Sequence, residues 1–232
     1  MDVAKLKRLA GEKAAEFVES GMIVGLGHGS TAIYALYYIA ELLKKGKLRD
    51  ITGIPCSRHV EKEAQKLDIP LFTFNDCVNK DLNIDLTIDG ADEVDLSLNI
   101  IKGGGGALLR EKIVAQVSRR EIIVVDESKL SPVLGTHWAV PVEVISFGCN
   151  SQKNYLERLD ADVKIRKKDN GDFFITDQGN ILMDCNFGPI KDPYTLSEKL
   201  AKRVGIVEHG LFLDIATDVI VAGNQGVRHI VR

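Results

Sequence analysis

Met22-Ile23-Val24-Gly25-Leu26-Gly27-His28-Gly29-Ser30-Thr31 runs from an apolar stretch through alternate glycines into a helix-compatible segment, residues 31–45. The apolar part predicts a short strand, the glycines a tight turn, and Ser30 an N-cap for the helix. Strand, glycine turn and helix in that order open an α/β fold. Upstream, residues 2–20 place Leu6, Leu9, Ala10, Ala14, Phe17 and Val18 on one helical face, and Gly21 predicts the stop. Downstream, strand-like runs at 51–54, 70–74, 84–89 and 121–126 alternate with helical patterns at 58–67 and 107–117. Short apolar strands separated by helices or long crossovers predict a doubly wound, mostly parallel, Rossmann-like sheet.

After Asp126 the rhythm changes. Pro132, Gly135 and Pro141 punctuate a connection, then strand signals cluster at 140–145, 163–166, 173–176 and 180–184, with helices at 152–159 and 195–203. This pattern predicts a smaller α+β subdomain over residues 136–208. Residues 218–222 (DVIVA) read as a strand that rejoins the first sheet. The expected main α/β domain is therefore discontinuous, residues 1–135 plus 209–232.

A chain of 232 residues can bury a sizeable core without disulfides or metals. Its net charge of −3 argues against a nucleic-acid or anionic-membrane partner. The first seventeen residues lack the apolar core of a signal peptide, and no run approaches the ~18 apolar residues of a membrane span. Cys56, Cys77, Cys149 and Cys185 stand singly with no CxxC spacing, and the five histidines form no HExxH pair. The expectation is a reduced, cytoplasmic protein that holds no metal.

Three segments carry candidate chemistry. In Gly25–Thr31, glycines permit close backbone approach, and amides at the helix start with the Ser30 and Thr31 hydroxyls make an anion site. A dinucleotide fingerprint would need glycine where Ser30 stands, and no GK[ST] is present to make a P-loop. Phosphate binding and a merely structural turn both remain open. In Thr87–Asp95 (TIDGADEVD), a strand ends at Asp89 and four acids fall within seven residues. They read either as ligand groups at the carboxyl end of a strand or as a solvated Asp-Gly turn. In Lys102–Lys112 (KGGGGALLREK), four consecutive glycines lie between apolar Ile100-Ile101 and an apolar helix. That placement suits backbone packed against a ligand better than a flexible linker. Glu111 on the helix reads either as a catalytic acid–base group or as part of a solvated face with Arg110 and Lys112. An anion loop, paired aspartates, a lysine and a glutamate suit proton transfer on a small phosphorylated substrate.

GLGHGSTA, TIDGADEVD, KGGGGALLREK and VVDESKL, in this order and spacing, closely resemble ribose-5-phosphate isomerase of the A type. The resemblance covers nearly the whole chain. It implies interconversion of ribose 5-phosphate and ribulose 5-phosphate in the pentose phosphate pathway, no cofactor or metal, and a homodimer or homotetramer. It implies that Glu111 is the general base, and that Asp89 and Asp92 bind sugar hydroxyls and assist ring opening. Lys102 would stabilise the enediolate oxygen. Gly103, Gly104 and Gly105 would contact the substrate through their backbone, as would the Gly90-Ala91 link between the aspartates. Gly29, Ser30 and Thr31 would hold the phosphate, with Lys129 as a substrate-binding lysine and Lys7 as a further candidate. One departure stands out: the family usually has threonine where this chain has His28, whose role would be backbone contact or a ring flanking the phosphate. Two other classes compete. A non-catalytic sugar-phosphate sensor would need a DNA-binding segment and would tend to lose these acid–base residues. A nicotinamide dehydrogenase is weakened by Ser30.

Overall fold

Short apolar strands and amphipathic helices alternate through the first half of the chain, and antiparallel pairs dominate the second half. The computed structural model describes residues 2–79 and 83–232. In chain order the elements begin α1 Val3–Ala15, β1 Ile23–Leu26, α2 Ala32–Lys44, β2 Thr52–Pro55, α3 Arg58–Lys66, α4 Phe74–Asn79 and β3 Leu86–Gly90. They continue β4 Glu93–Val94, β5 Ile100–Ile101, α5 Leu108–Val117, β6 Glu121–Asp126, β7 Val140–Val144, α6 Cys149–Glu157 and β8 Asp162–Ile165. The last are β9 Ile181–Asn186, α7 Pro193–Ala201, β10 Ile206–His209, β11 Leu211–Phe212, β12 Asp218–Gly223 and β13 Gly226–Val231. Backbone contacts divide the chain into two units. One comprises Met1–Ala91, Arg110–Lys129 and Asp214–Arg232, the other Asp92–Leu109 and Leu130–Leu213.

The first unit is built on a six-stranded sheet of order β13-β12-β6-β3-β1-β2. All its pairings are parallel except β12–β13. β3, β6 and β12 are buried along their whole length, as strands covered on both faces must be. On one face, Leu6, Ala10 and Ala14 of α1 and Ala35, Leu36 and Ile39 of α2 pack with Val24, Leu86, Ile88, Ile122, Val124 and Ile220. On the other, Thr87 points away from that core, and its hydroxyl meets that of Ser118, just past α5, at 2.7 Å. Helices on both faces make the fold doubly wound, and residues 218–222 rejoin the sheet as the sequence predicts. From β1 the chain steps outward to β2, then returns to lay β3 on β1's other side. The carboxyl ends of β1 and β3 therefore flank a topological switch point, where such sheets open a crevice for ligands.

The second unit holds a four-stranded antiparallel sheet, β10-β7-β9-β8, and a three-stranded one, β11-β5-β4. Ile101 and Leu211 join Val140, Val142, Val144, Leu156, Met183 and Leu200 in its core. This pairing draws residues 92–109, expected with the first domain, into the second unit. Residues 130–135 and 209–213 go with them, so both expected domain boundaries move. Glu93, buried on β4, accepts four backbone N–H groups, from Gly135, Thr136, His137 and Trp138, at 2.9–3.2 Å. A single carboxylate thus organises the connection that the sequence shows only as punctuation.

Several elements differ from expectation. α1 stops at Ala15, short of Gly21, and the chain turns through Phe17 and Val18 with Val18 still buried. The strand expected at 70–74 reduces to one parallel bridge from Leu71 to Gly53. There Pro70 brings no N–H, and Thr73 with Asp76 forms a reciprocal capping box that starts α4. Residues 173–176 make only isolated bridges, because Thr176 is engaged in closing the turn to Asn180. Among the described residues no helix is long and apolar enough to cross a membrane.

At the opposite end of the first sheet, Asp218 opens β12 only 2% exposed. Burial alone would raise its carboxyl. Hydrogen bonds from Arg120 (2.9 and 2.7 Å), Thr217 (2.7 Å) and His229 (2.6 Å) outweigh that and hold it well below the usual carboxylate range. A depressed native value stabilises the fold above the unfolded pKa of about 3.9, and the contribution fades as pH falls below it. Asp218→Asn is therefore expected to lose about 2 kcal/mol at pH 7, with the deficit shrinking progressively as pH falls below about 4, measured by denaturant midpoints. Glu93→Ala is expected to cost roughly 2–4 kcal/mol, since four amides lose their acceptor. A loss below about 0.5 kcal/mol, within the range of ordinary surface substitutions, would show that the 135–138 connection holds itself.

Candidate active site

The loop after β1 lies against the end of β3. Gly27 donates its N–H to the Ile88 carbonyl at 2.9 Å. A Cβ on Gly27 would stand 2.4 Å from the Asp89 Cα, closer than any side chain tolerates, so only glycine passes. One residue on, the His28 N–H donates to Asp89 Oδ1 at 2.9 Å, and the Gly90 N–H reaches the same oxygen at 2.7 Å. Asp89 is 0% exposed, so these amides face a carboxylate shielded from bulk water. The His28 ring turns to the start of α3, with Nδ1 2.9 Å from Ser57 Oγ and an edge-to-face contact with His59 at 5.7 Å between centroids.

Beyond His28, Gly29 takes a φ of 137° and its carbonyl accepts the N–H of Ile33. The helix cap is Thr31 rather than Ser30, and no side-chain bond closes it. Ser30 is exposed, and its hydroxyl accepts a hydrogen bond from Lys7 Nζ on α1 at 2.9 Å. Lys7, Ser30 and the first amides of α2 thus form one electropositive cluster. Lys129 ends a short 3-10 turn, Glu127–Lys129, directly after β6, and is half-buried.

Glu111 lies in the first turn of α5 and is 3% exposed, with Lys112 at 5%. The solvated-face alternative therefore fails. On the same helix Ile113 and Val117 are 39% and 47% exposed, so α5 buries these two charged residues beside Leu108, Val114 and Ala115 while showing two aliphatic ones.

In the second unit, Asp92 accepts the Gly104 N–H at 2.7 Å. Arg166, held by a fork of bonds to Asp184, donates to the carbonyls of Gly103 and Gly104, both at 2.9 Å. Gly106 closes a turn on Gly103, at a φ of 81° where a Cβ would strike the Phe174 ring at 2.4 Å. The glycine run is pinned backbone, which excludes the linker reading. Gly105 is its exposed member. Lys102 is 2% exposed, its amide donates to the Gly210 carbonyl, and its ammonium lies 5.7 Å from the centre of the Phe212 ring.

The four acids of the TIDGADEVD segment divide by task. Glu93 holds the 135–138 connection, and Asp95 accepts the amides of Ser97 and Asn99 at 2.8 Å, so both are structural. Asp89 is fastened at one oxygen, and half-buried Asp92 presents its carboxylate to the glycine run. Gly90 and Ala91 link the two. Arg166 and Ser57 escaped the sequence reading. Arg166 sits in a basic run, KIRKK, that reads as a solvated charge cluster, and Ser57 gives only the signal of a helix cap. Among the described residues, no three or more His, Cys, Asp or Glu side chains converge as metal ligands would.

Comparison with known proteins bears on the same residues. The family model for ribose 5-phosphate isomerase A (phosphoriboisomerase A) matches residues 52–226. A ribose-5-phosphate isomerase A from Desulfatibacillum aliphaticivorans is 53% identical over 225 residues, covering 97% of this chain and 96% of its own. One from Chloroflexus aurantiacus is 51% identical, covering 97% and 92%. A D-ribose-5-phosphate isomerase solved in complex with phospho-erythronic acid matches the structure with a TM-score of 0.96 at 38% identity over all of both chains. The ribose 5-phosphate isomerase of Plasmodium falciparum gives 0.94 at 42% identity over 99% of each. With its doubly wound sheet, its pinned glycine run and its sequence matched from end to end, the chain belongs to the ribose-5-phosphate isomerase A family.

Proposed function

We propose that Glu111 is the proton-transferring base of this aldose–ketose isomerase, which interconverts D-ribose 5-phosphate and D-ribulose 5-phosphate. The reaction moves one hydrogen from C2 to C1 and the hydroxyl proton from O2 to O1, so the C1 aldehyde is reduced as the C2 alcohol is oxidised. The Glu111 carboxylate takes the C2 proton, leaving a cis-enediol(ate), and returns it to C1. The Lys102 ammonium offsets the negative charge that develops on the enediolate oxygen. Asp89 and Asp92 bind the sugar hydroxyls and assist opening of the furanose ring, and Gly90 and Ala91 contact the substrate through their backbone. Gly103, Gly104 and Gly105 supply backbone contacts, and Gly29, Ser30 and Thr31 receive the phosphate with Lys7 beside them. His28 contributes its amide through Asp89, and Lys129 completes the substrate contacts.

The observation that carries this assignment is the burial of Glu111 and Lys102, at 3% and 2% exposure. Glutamate and lysine are rarely buried this fully unless paired, because desolvating a charge is costly. The exposed Ile113 and Val117 suit a homodimer or homotetramer, and the buried free thiols Cys56 and Cys185 suit a reducing cytoplasm.

Ribose 5-phosphate conversion, measured directly with EDTA present and no nucleotide added, is expected to proceed at full rate. Failure to turn over, or loss of rate on chelation, would refute a cofactor-free isomerase. Glu111→Gln is expected to abolish turnover and exchange of the C2 proton with solvent while substrate still binds. Substantial residual turnover would move the base elsewhere. Phospho-erythronic acid, bound by a solved relative, is expected to compete with ribose 5-phosphate. Arg166→Lys keeps the charge but not the fork, and is expected to raise KM roughly tenfold by loosening Gly103 and Gly104. An unchanged KM would mean that Asp92 alone suffices to hold the run.

A further inference from the structure

Ser57 is absent from every set of residues assigned above, yet it is tied to the site by an unbroken chain of short hydrogen bonds. It caps α3 with extended backbone, φ −157° and ψ 160°, and its Oγ accepts the N–H of Val60 at 3.1 Å. The residue is 2% exposed, so the hydroxyl proton needs a protein acceptor. His28 Nδ1, at 2.9 Å, is the group in position to accept it. That arrangement leaves the neutral imidazole with its proton on Nε2. The same histidine, anchored through its ring, donates its backbone N–H to Asp89 Oδ1 at 2.9 Å.

We infer that Ser57 is a positioning residue, which fixes the His28 ring in one tautomer and thereby aims the His28 amide at the Asp89 carboxylate. The helix after β2 is thus linked to the end of β3 through one loop residue, His28. The inference rests on the assignment of Asp89 to the sugar hydroxyls.

Three substitutions separate the cap from the tie. Ser57→Thr retains both the cap oxygen and its proton. Ser57→Asp caps the helix but has no proton to give, so it calls for the tautomer with hydrogen on Nδ1. Ser57→Ala removes both. Imidazole ¹⁵N spectra of the free protein are expected to show His28 protonated on Nε2 in the parent and in Ser57→Thr, and shifted toward Nδ1 protonation in Ser57→Asp. In steady-state assays Ser57→Ala and Ser57→Asp are expected to lose roughly fivefold in kcat/KM, the equivalent of one hydrogen bond, with Ser57→Thr restoring the rate. In an Asp89→Asn background the further loss from Ser57→Ala should shrink below about twofold, because the two act in series.

An unchanged His28 spectrum in Ser57→Asp overturns the tie. A fivefold loss that persists in the Asp89→Asn background overturns the route through Asp89 and leaves Ser57 a helix cap. Full activity of Asp89→Asn itself would remove the assignment of Asp89, and the positioning role with it, while the spectra would still report the tautomer.

Discussion

A methyl group will not fit where Gly27 passes Asp89, and the first unit's chemistry depends on that close approach. With β1 and β3 paired in parallel, the Gly27 amide bonds to the Ile88 carbonyl, and the next amide, from His28, comes into line with the Asp89 carboxylate. Any side chain at position 27 would part the two chain segments and withdraw a donor from a carboxylate that has no contact with bulk water. The parallel pairing also fixes where the next loop residues go: Gly29 and Ser30 stand at the entry to α2, within reach of Lys7. One steric constraint thus sets both an anion-receiving surface and the orientation of a buried acid.

The second unit meets a different problem, that of making glycines rigid. Four of them in succession give the unfolded chain great freedom, and that freedom must be removed on folding. Here the restraints come from both sides of the peptide groups, with Asp92 receiving an N–H and Arg166 donating to two carbonyls. The aromatic ring of Phe174 closes the end of the run. Backbone held in this way can present its polar groups to a ligand without further ordering, which is what preorganised binding requires.

The sheet was legible because buried parallel strands write themselves as continuous apolar runs: IIVV in β6, VIVA in β12. β4, β5 and β11 have two residues each, too few to show any period, and β13 sets Arg228 and His229 side by side between Val227 and Ile230 on an exposed edge. Among the acids, nothing local separates Glu93 from Asp92, because the amides that claim Glu93 lie 42 to 45 residues away. Glu111 could be read two ways for a similar reason, since burial is a property of everything packed around it. Its neighbours Arg110 and Lys112 suggest a solvated face, and only the assembled fold shows the opposite. Ser57 and Arg166 act through atoms contributed by residues far along the chain, so neither spacing nor composition could find them.

The division of the chain into interleaved segments has a consequence for how the protein is made. β12 is an interior strand of the first sheet, pairing with β6 on one side and β13 on the other, yet it is synthesised after all of the second unit. Until Asp214–Arg232 leaves the ribosome, β6, apolar through its centre, keeps one edge of backbone N–H and C=O groups without a strand partner. Emerging chains therefore carry an open strand edge while residues 127–213 are made, a situation in which nascent proteins need chaperones. The second unit is stitched from two pieces, Asp92–Leu109 and Leu130–Leu213, and so cannot be complete before Leu213 is made either. Both units therefore close over the same stretch of chain, residues 213–232, and depend on long-range rather than local contacts.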